Sequence, residues 1–531
     1  MVIFLYVAPN STIKFLSGVP INNTYNDTLY FQSDTAQYGI FNSYARYTLT
    51  AQSYARVDGQ TGILRVNLTP EQLFGCNYLM FQNTSFGSKW FYAFITKVEY
   101  RSNETSFVSF ELDEMQTWYF DYTVNECFIE REHSLTDNPG DNLVPENVET
   151  GEYMSTGYDK MIPAGLGINP NVMIVFGCTF GYVPSGGTPA ARFPDYTGGA
   201  NNGIFSGLAL HAFSTVADAV AFVTQVVADK KLSGIICCYM MYGTFFDDQH
   251  PGVITPSLTA YPATLSVTKP TAFPGMTGYT VKCKKLLTAP YIQLYVTNNQ
   301  GNASVFPFEY FSDASLRFDL WGSCAPDPAV FAVPYNYKNV SGDNWDEKMI
   351  LKGFPVCAFN VDSFKAWLAQ SGSALAVSNM SSALSASIST ASGNPGAALG
   401  FAAGVASTLQ QAYIHDIQPP QSHGNVSGNV LYSAGLLNFS YCIKYIRPEF
   451  VRIIDDYFNK FGYATHRVKT PNIGTRPHWN YVQTRGCSIK GNVPADTARN
   501  ICNIYDSGIT FWKNGSEVGN YQLDNSPVIE P

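Results

Sequence analysis

Charge is scarce in this sequence. Only 14% of its 531 residues are Asp, Glu, Lys or Arg, and 41 acidic against 32 basic side chains leave a formal charge of −9. Gripping nucleic acid requires a surplus of Lys and Arg on one face, so the acidic balance argues against a clamp on DNA or RNA. A channel through which DNA slides is compatible, because a mildly repulsive wall prevents sticking. Catalytic signatures are missing too. There is no Gly-x-Ser-x-Gly elbow and no GxxxxGK[ST] phosphate loop. The seven His, among them His133, His211, His250 and His415, include no pair at metal-ligand spacing. The 11 Cys form no CxxC motif, and their odd number predicts free buried thiols in a reducing compartment. The opening MVIFLYVAPN is apolar but has no basic residue before it, which predicts no secretion signal.

Aromatics, by contrast, are abundant: 34 Tyr and 36 Phe bring them to 15%, with 43 Gly and 30 Pro. An aromatic, turn-rich and charge-poor chain points to a β-dominated protein that buries surface against neighbours in an assembly.

The scarcity of charge becomes absolute between Lys365 and Asp416, where residues 366–415 hold no Asp, Glu, Lys or Arg. Val377, Met380, Leu384 and Ile388 fall on one helical stripe in the first half. Asn394-Pro395 makes a turn. The second half spaces Gly396, Gly400 and Gly404 four apart, the small-xxx-small pattern that lets helices approach closely in lipid, among Leu399, Phe401, Val405 and Leu409. As a helix, Gly396 to Ile414 would span about 28 Å, near the thickness of a bilayer's hydrocarbon core. Two readings stand: a flexible Ser/Ala/Gly linker, or a helical hairpin that enters a membrane conditionally. Its Ser content is too high for a permanent span.

Elsewhere the pattern predicts a β-hairpin, Trp90–Tyr100 and Thr105–Leu112 about the turn Arg101-Ser102-Asn103-Glu104. Buried strands are expected at 171–180 and Ile235–Tyr242, the latter holding Cys237-Cys238. A helix capped by Ser214 or Thr215 stands between them, which implies an α/β insertion. Short strands follow at Tyr291–Thr297 and Ser315–Leu320. Helices are predicted from Pro448, with Phe450, Ile454, Tyr457 and Phe461 inward and Gly462 as stop, and from Pro494 to Tyr505 before Gly508. Asp247-Asp248 with His250 reads as a surface loop, and Glu130-Arg131-Glu132-His133 as a salt-bridged strand end. Trp479, Tyr481, Trp512 and Tyr521 could stack on sugar but are assigned to a core or subunit interface.

Several strings together resemble the tail knob, or distal tube, proteins of picovirus-type short-tailed phages. They run from Tyr78-Leu79-Met80-Phe81-Gln82-Asn83 and Gly87-Ser88-Lys89-Trp90-Phe91-Tyr92 through Phe110-Glu111-Leu112-Asp113 and Arg131-Glu132-His133. They resume at Gln418-Pro419-Pro420-Gln421 and continue through Lys460-Phe461-Gly462-Tyr463, Trp479-Asn480-Tyr481-Val482-Gln483-Thr484 and Gly508-Ile509-Thr510-Phe511-Trp512. The resemblance implies a non-enzymatic, cofactor-free virion protein, assembled in the host cytoplasm into a hexameric tube. Its partners would be other copies of itself, the lower collar (proximal tail) protein, the host membrane, and phage DNA passing without sequence-specific binding. It also implies that the loop at 366–423 plugs the tube and inserts into the membrane. The expected fold is a β-rich α+β tube-forming barrel or sandwich. Its parts are 1–165, 281–365 and 424–531, interrupted by an α/β insertion at 166–280 and the uncharged hairpin at 366–423. The rivals are a receptor-binding or cell-wall-degrading tail protein, and a free pore-forming toxin.

Overall fold

In the computed structural model, residues 10–52, 62–84, 87–161, 172–178, 200–201, 204–205, 209–213, 235–242, 261–323, 329–352, 356–358, 425–427 and 438–528 are described. Among the described residues the fold is β-rich with few helices, and the chain divides into two compact units. One comprises Met1–Glu152, Ala272–Thr288 and Ile446–Pro531; the other comprises Tyr153–Thr271 and Ala289–Tyr445. The sequence-based division instead groups 281–365 with the two terminal parts.

The first unit is built on a six-stranded sheet ordered Ala45–Gln52, Ser11–Ser17, Cys76–Gln82, Trp90–Ser102, Thr105–Leu112, Gly62–Val66. All its pairings are antiparallel. Successive side chains of a strand point to opposite faces, and here both faces are covered. This explains why Cys76–Gln82 reads as a nearly continuous apolar run. Leu79 and Phe81 join Ile13, Phe15, Phe91 and Phe110 on one side. Tyr78 and Met80 join Tyr92, Phe94, Phe41, Trp479 and Trp512 on the other. The predicted hairpin is present. Its ladder continues to Ser102↔Thr105, so the turn shrinks from four residues to Asn103-Glu104.

A five-stranded sheet fuses the chain's ends: Asp27–Leu29, Ile509–Trp512, Trp479–Arg485, Cys127–Glu132, Tyr463–Lys469. Asp27–Leu29 runs parallel to its neighbour and the other pairs are antiparallel. Trp479 and Trp512 are cross-strand partners with rings 5.2 Å apart and are fully buried. These aromatics are core, as the sequence assigns them, and not a sugar platform.

Both predicted C-terminal helices form, at Pro448–Phe461 and Ala495–Ser507. Pro448 starts the first, where a missing N–H costs nothing, and Gly462 ends it at φ 66°. A Cβ there would sit 2.2 Å from the Glu132 carbonyl oxygen, so only glycine fits. The inward stripe differs from expectation. Val451, Ile454, Asp455 and Phe458 are buried, while Phe450, Tyr457 and Phe461 are half-exposed. The helix is rotated because the Asp455 carboxylate is held inside, accepting from Tyr279 Oη at 2.7 Å and from the Lys282 and Cys283 amides at 2.9 Å. Apolar periodicity alone cannot anticipate a buried acid with three donors.

In the second unit a four-stranded antiparallel sheet runs Tyr261–Thr268, Ser315–Ser323, Ala329–Pro334, Met349–Leu351. Another pairs Ile292–Thr297 with Ala303–Phe306 and Ser440–Ile446. A further five-stranded sheet is ordered Ala209–Phe213, Val172–Cys178, Ile235–Tyr242, Val356–Ala358, Asn425–Ser427. It contains strands at both positions expected of the insertion, paired antiparallel, but takes its last two strands from beyond residue 280. The helix expected after Ser214 and the Asp247-Asp248-His250 group lie outside the described residues.

Candidate functional site

The last two strands of that sheet bracket the uncharged segment. Val356–Ala358 and Asn425–Ser427 pair antiparallel with the register Val356↔Ser427, Cys357↔Val426, Ala358↔Asn425. Val356–Ala358 is also hydrogen-bonded to Ile235–Tyr242, so the pair is an extension of a sheet and not an isolated hairpin. Directly opposed residues of an antiparallel pair have Cα atoms about 5 Å apart. The chain therefore leaves at Ala358 and returns beside it at Asn425. The residues expected to insert, Val377, Met380, Leu384, Ile388, Gly396, Leu399, Gly400, Phe401, Gly404, Val405 and Leu409, lie outside the described residues. Among the described residues no helix is long and apolar enough to cross a membrane.

The first unit holds a second constellation, a polar clasp that ties its three chain segments together. Arg131, next to last in the strand Cys127–Glu132, pairs with Glu146. Glu146 also accepts from Lys285 Nζ at 2.6 Å and from the Ala464 amide at 2.9 Å. Lys285 further donates to the Val144 carbonyl at 2.7 Å, and Arg131 to the Gly462 carbonyl. Arg131, Glu146 and Lys285 side chains are only 9%, 1% and 3% exposed. Burial pulls the Lys285 ammonium below its usual range, and neighbouring Glu146 opposes that shift. Tyr463 Oη donates to Asp137 at 2.5 Å, and the next residue, Ala464, borders a 460 Å³ cleft together with Glu132, Asp141, Thr465, Arg467 and Lys469.

His133 is fixed as a neutral imidazole. Its Nδ1 accepts from the Tyr481 amide at 2.8 Å, which leaves Nε2 to donate to the Asn459 carbonyl at 3.0 Å. Burial and the nearby Arg476 hold it well below the ordinary histidine range. The salt-bridged strand end expected at Glu130–His133 is present. Both nitrogens of His133 are spoken for by backbone, so it is structural. Among the described residues no group of His, Cys, Asp and Glu is arranged to hold a metal.

Sequence reasoning missed Glu146, Lys285 and Asp113. Glu146 lies in an extended stretch without regular periodicity, and Lys285 in a single 3-10 turn, so no pattern marked them. Asp113 carried a readable signal, an acid three residues before Gln116 at a helix start. It caps that turn, accepting from the Gln116 amide at 3.0 Å and from Tyr78 Oη at 2.8 Å. Complete burial raises its carboxyl to about 7.

Residues 258–526 match the family model described as Bacillus phage phi29 tail knob protein gp9, C-terminal domain. The chain belongs to this tail knob family. Residues 9–123 match a second model, the caudoviral major tail protein N-terminus. The tail knob protein gp9 of Bacillus phage phi29 is 28% identical to it, over 98% of this chain and 99% of the relative. That of Bacillus phage B103 is 27% identical over the same shares. Among solved structures, the bacteriophage C1 tail knob protein gp12 has the same fold, at a TM-score of 0.59 and 16% identity, over 98% of this chain and 100% of that one. This member of the tail knob family is thus a structural tail component of a short-tailed phage, carried in the virion, and its named relatives are structural proteins too.

Proposed function

We propose that the chain forms a hexameric conduit for the phage genome, and that six uncharged loops close it before ejection and enter the host membrane on release. One observation carries this reading: both ends of the uncharged segment emerge side by side from paired strands of a sheet. A segment anchored this way can swing or extend as one body while its base stays folded. A linker between domains needs no such closure. Once free, Leu399, Phe401, Val405, Leu409 and the Val377–Ile388 stripe are driven into lipid at roughly 25 cal/mol per Å² of apolar surface buried. As helices they satisfy their own backbone hydrogen bonds there. A net charge of −9 suits a wall past which DNA slides without sequence-specific binding. The collar end of such a tube would dock on the proximal tail protein, and assembly would take place in the host cytoplasm.

The test is deletion of Ser371 to Tyr413 from the full-length protein. Rings with a central hole are expected in negative-stain images of both forms, with liposome leakage only from the intact one. Leakage at the undeleted level, or the absence of rings, overturns the reading.

A further inference from the structure

Three cysteines far apart in sequence converge in the first unit. Cys127 opens the strand Cys127–Glu132, Cys487 lies in the turn after Trp479–Arg485, and Cys502 is on the helix Ala495–Ser507. The ladder register brings the first two together: Arg485 faces Phe128, so the chain beyond Arg485 passes Cys127. The turn is clipped to the helix. Asp506, one helical turn after Cys502 and on the same face, accepts from the Cys487 amide at 3.0 Å and the Gly486 amide at 3.1 Å. The Ser488 carbonyl accepts from the Asn125 amide at 2.9 Å, and Ile489 pairs with Val124. The Cys487 backbone is thereby held beside the helical turn that carries Cys502, with the start of the Cys127 strand alongside. All three are reduced, Cys127 is buried, and Cys487 and Cys502 are partly open to solvent.

We propose that Cys487 and Cys502 are an oxidisable pair, which closes a disulfide stapling the 486–489 turn to the helix once the virion is in an oxidising medium. The Asp506 bonds hold the backbone of one cysteine beside the helical turn that carries the other, and a disulfide joins residues brought side by side in this way. The oxidant is a low-molecular-weight disulfide, RSSR. The Cys502 thiolate attacks one of its sulfurs and expels RS⁻, giving a mixed disulfide. The Cys487 thiolate attacks the Cys502 sulfur and expels the second RS⁻, forming the protein S–S bond. Two protein thiols are oxidised, one RSSR is reduced to two RSH, and the two thiol protons pass to the departing thiolates. Burial raises both thiols, so exchange is slow near neutral pH. A slow reaction favours closure after assembly, when the subunit is already seated.

The full-length protein is incubated with oxidised glutathione, its remaining thiols are alkylated, and peptides are mapped by mass spectrometry. A linked Cys487–Cys502 peptide is expected, formed faster as pH rises and absent from Cys487→Ser and Cys502→Ser but retained in Cys127→Ser. Glutathione adducts alone, free alkylation of both residues, or a Cys127–Cys487 link in the unmutated protein overturns the assignment without recourse to variants. Oxidation is also expected to raise the melting temperature on the order of 5 °C, reversed by reductant, because a loop of this length is closed. No rise overturns the staple.

Discussion

Ala358 and Asn425 face each other across an antiparallel ladder although the whole uncharged segment runs between them. This pairing makes the segment an excursion from one point of a sheet. It also gives a direct check that needs no membrane. In a Cys357→Ser background, Ala358→Cys with Asn425→Cys is expected to cross-link on mild oxidation, since directly opposed strand residues bring their Cβ atoms within disulfide reach. The control Ala358→Cys with Val426→Cys, one position out of register, is expected to cross-link far less. Equal yields would refute the register.

Within the proposed insertion, the second half of the segment relies on close approach of helices through Gly396, Gly400 and Gly404. Gly400→Leu places a branched side chain in that seam and is expected to reduce liposome leakage several-fold more than Ser389→Ala. Both variants should leave ring assembly unchanged, because the base strands are untouched. Equal effects on leakage would remove the small-residue seam from the mechanism.

The Arg131–Glu146–Lys285 clasp joins 1–152, 272–288 and 446–531 through buried charges. Breaking such a group by removing one member leaves the others uncompensated, at about 3–5 kcal/mol. Glu146→Gln is therefore expected to lower unfolding stability by that order in urea denaturation, with an unchanged slope. Exposed pairs such as Arg485–Glu130, with Arg485 74% exposed, are worth ~1 kcal/mol or less. Arg485→Ala serves as the control, and a loss equal to that of Glu146→Gln would show that the clasp is not special.

Much of the architecture was legible wherever one rule governs one element. The hairpin at Trp90–Leu112 announces itself by alternation, and the helix Pro448–Phe461 by its proline and glycine ends. The core role of Trp479 and Trp512 follows from their size. What could not be read was pairing between distant segments. Nothing local at Val356–Ala358 says that it joins Ile235–Tyr242 and Asn425–Ser427, because strand partners are chosen by tertiary packing. The rotated stripe of Pro448–Phe461 has the same origin: Asp455 is inside only because Tyr279, Lys282 and Cys283 come from another part of the chain to meet it. The thiol cluster at Cys127, Cys487 and Cys502 was equally invisible, since spacing along the chain carries no trace of it.

Asp113 links the six-stranded sheet to pH. Its carboxyl is fully buried and raised to about 7, against an ordinary value near 4 in the unfolded chain. Tyr25, Tyr78, Glu114 and Tyr122 are titratable groups that interact with it. The folded state holds the proton more tightly, so between about pH 4 and 7 it binds more protons than the unfolded state. The contribution of this residue to stability is therefore fully present below about pH 4 and lost as pH rises through about 7. Asp113→Asn keeps an acceptor for the Gln116 amide and removes the titration. Relative to that variant, the unmutated protein is expected to lose stability between pH 5 and 7, on the order of 1.4 kcal/mol per pH unit. Thermal melts of both proteins across pH 4 to 8 check this. Curves that stay parallel would show that Asp113 keeps an ordinary carboxylate's affinity for its proton, and that the sheet tolerates a buried charge at this position.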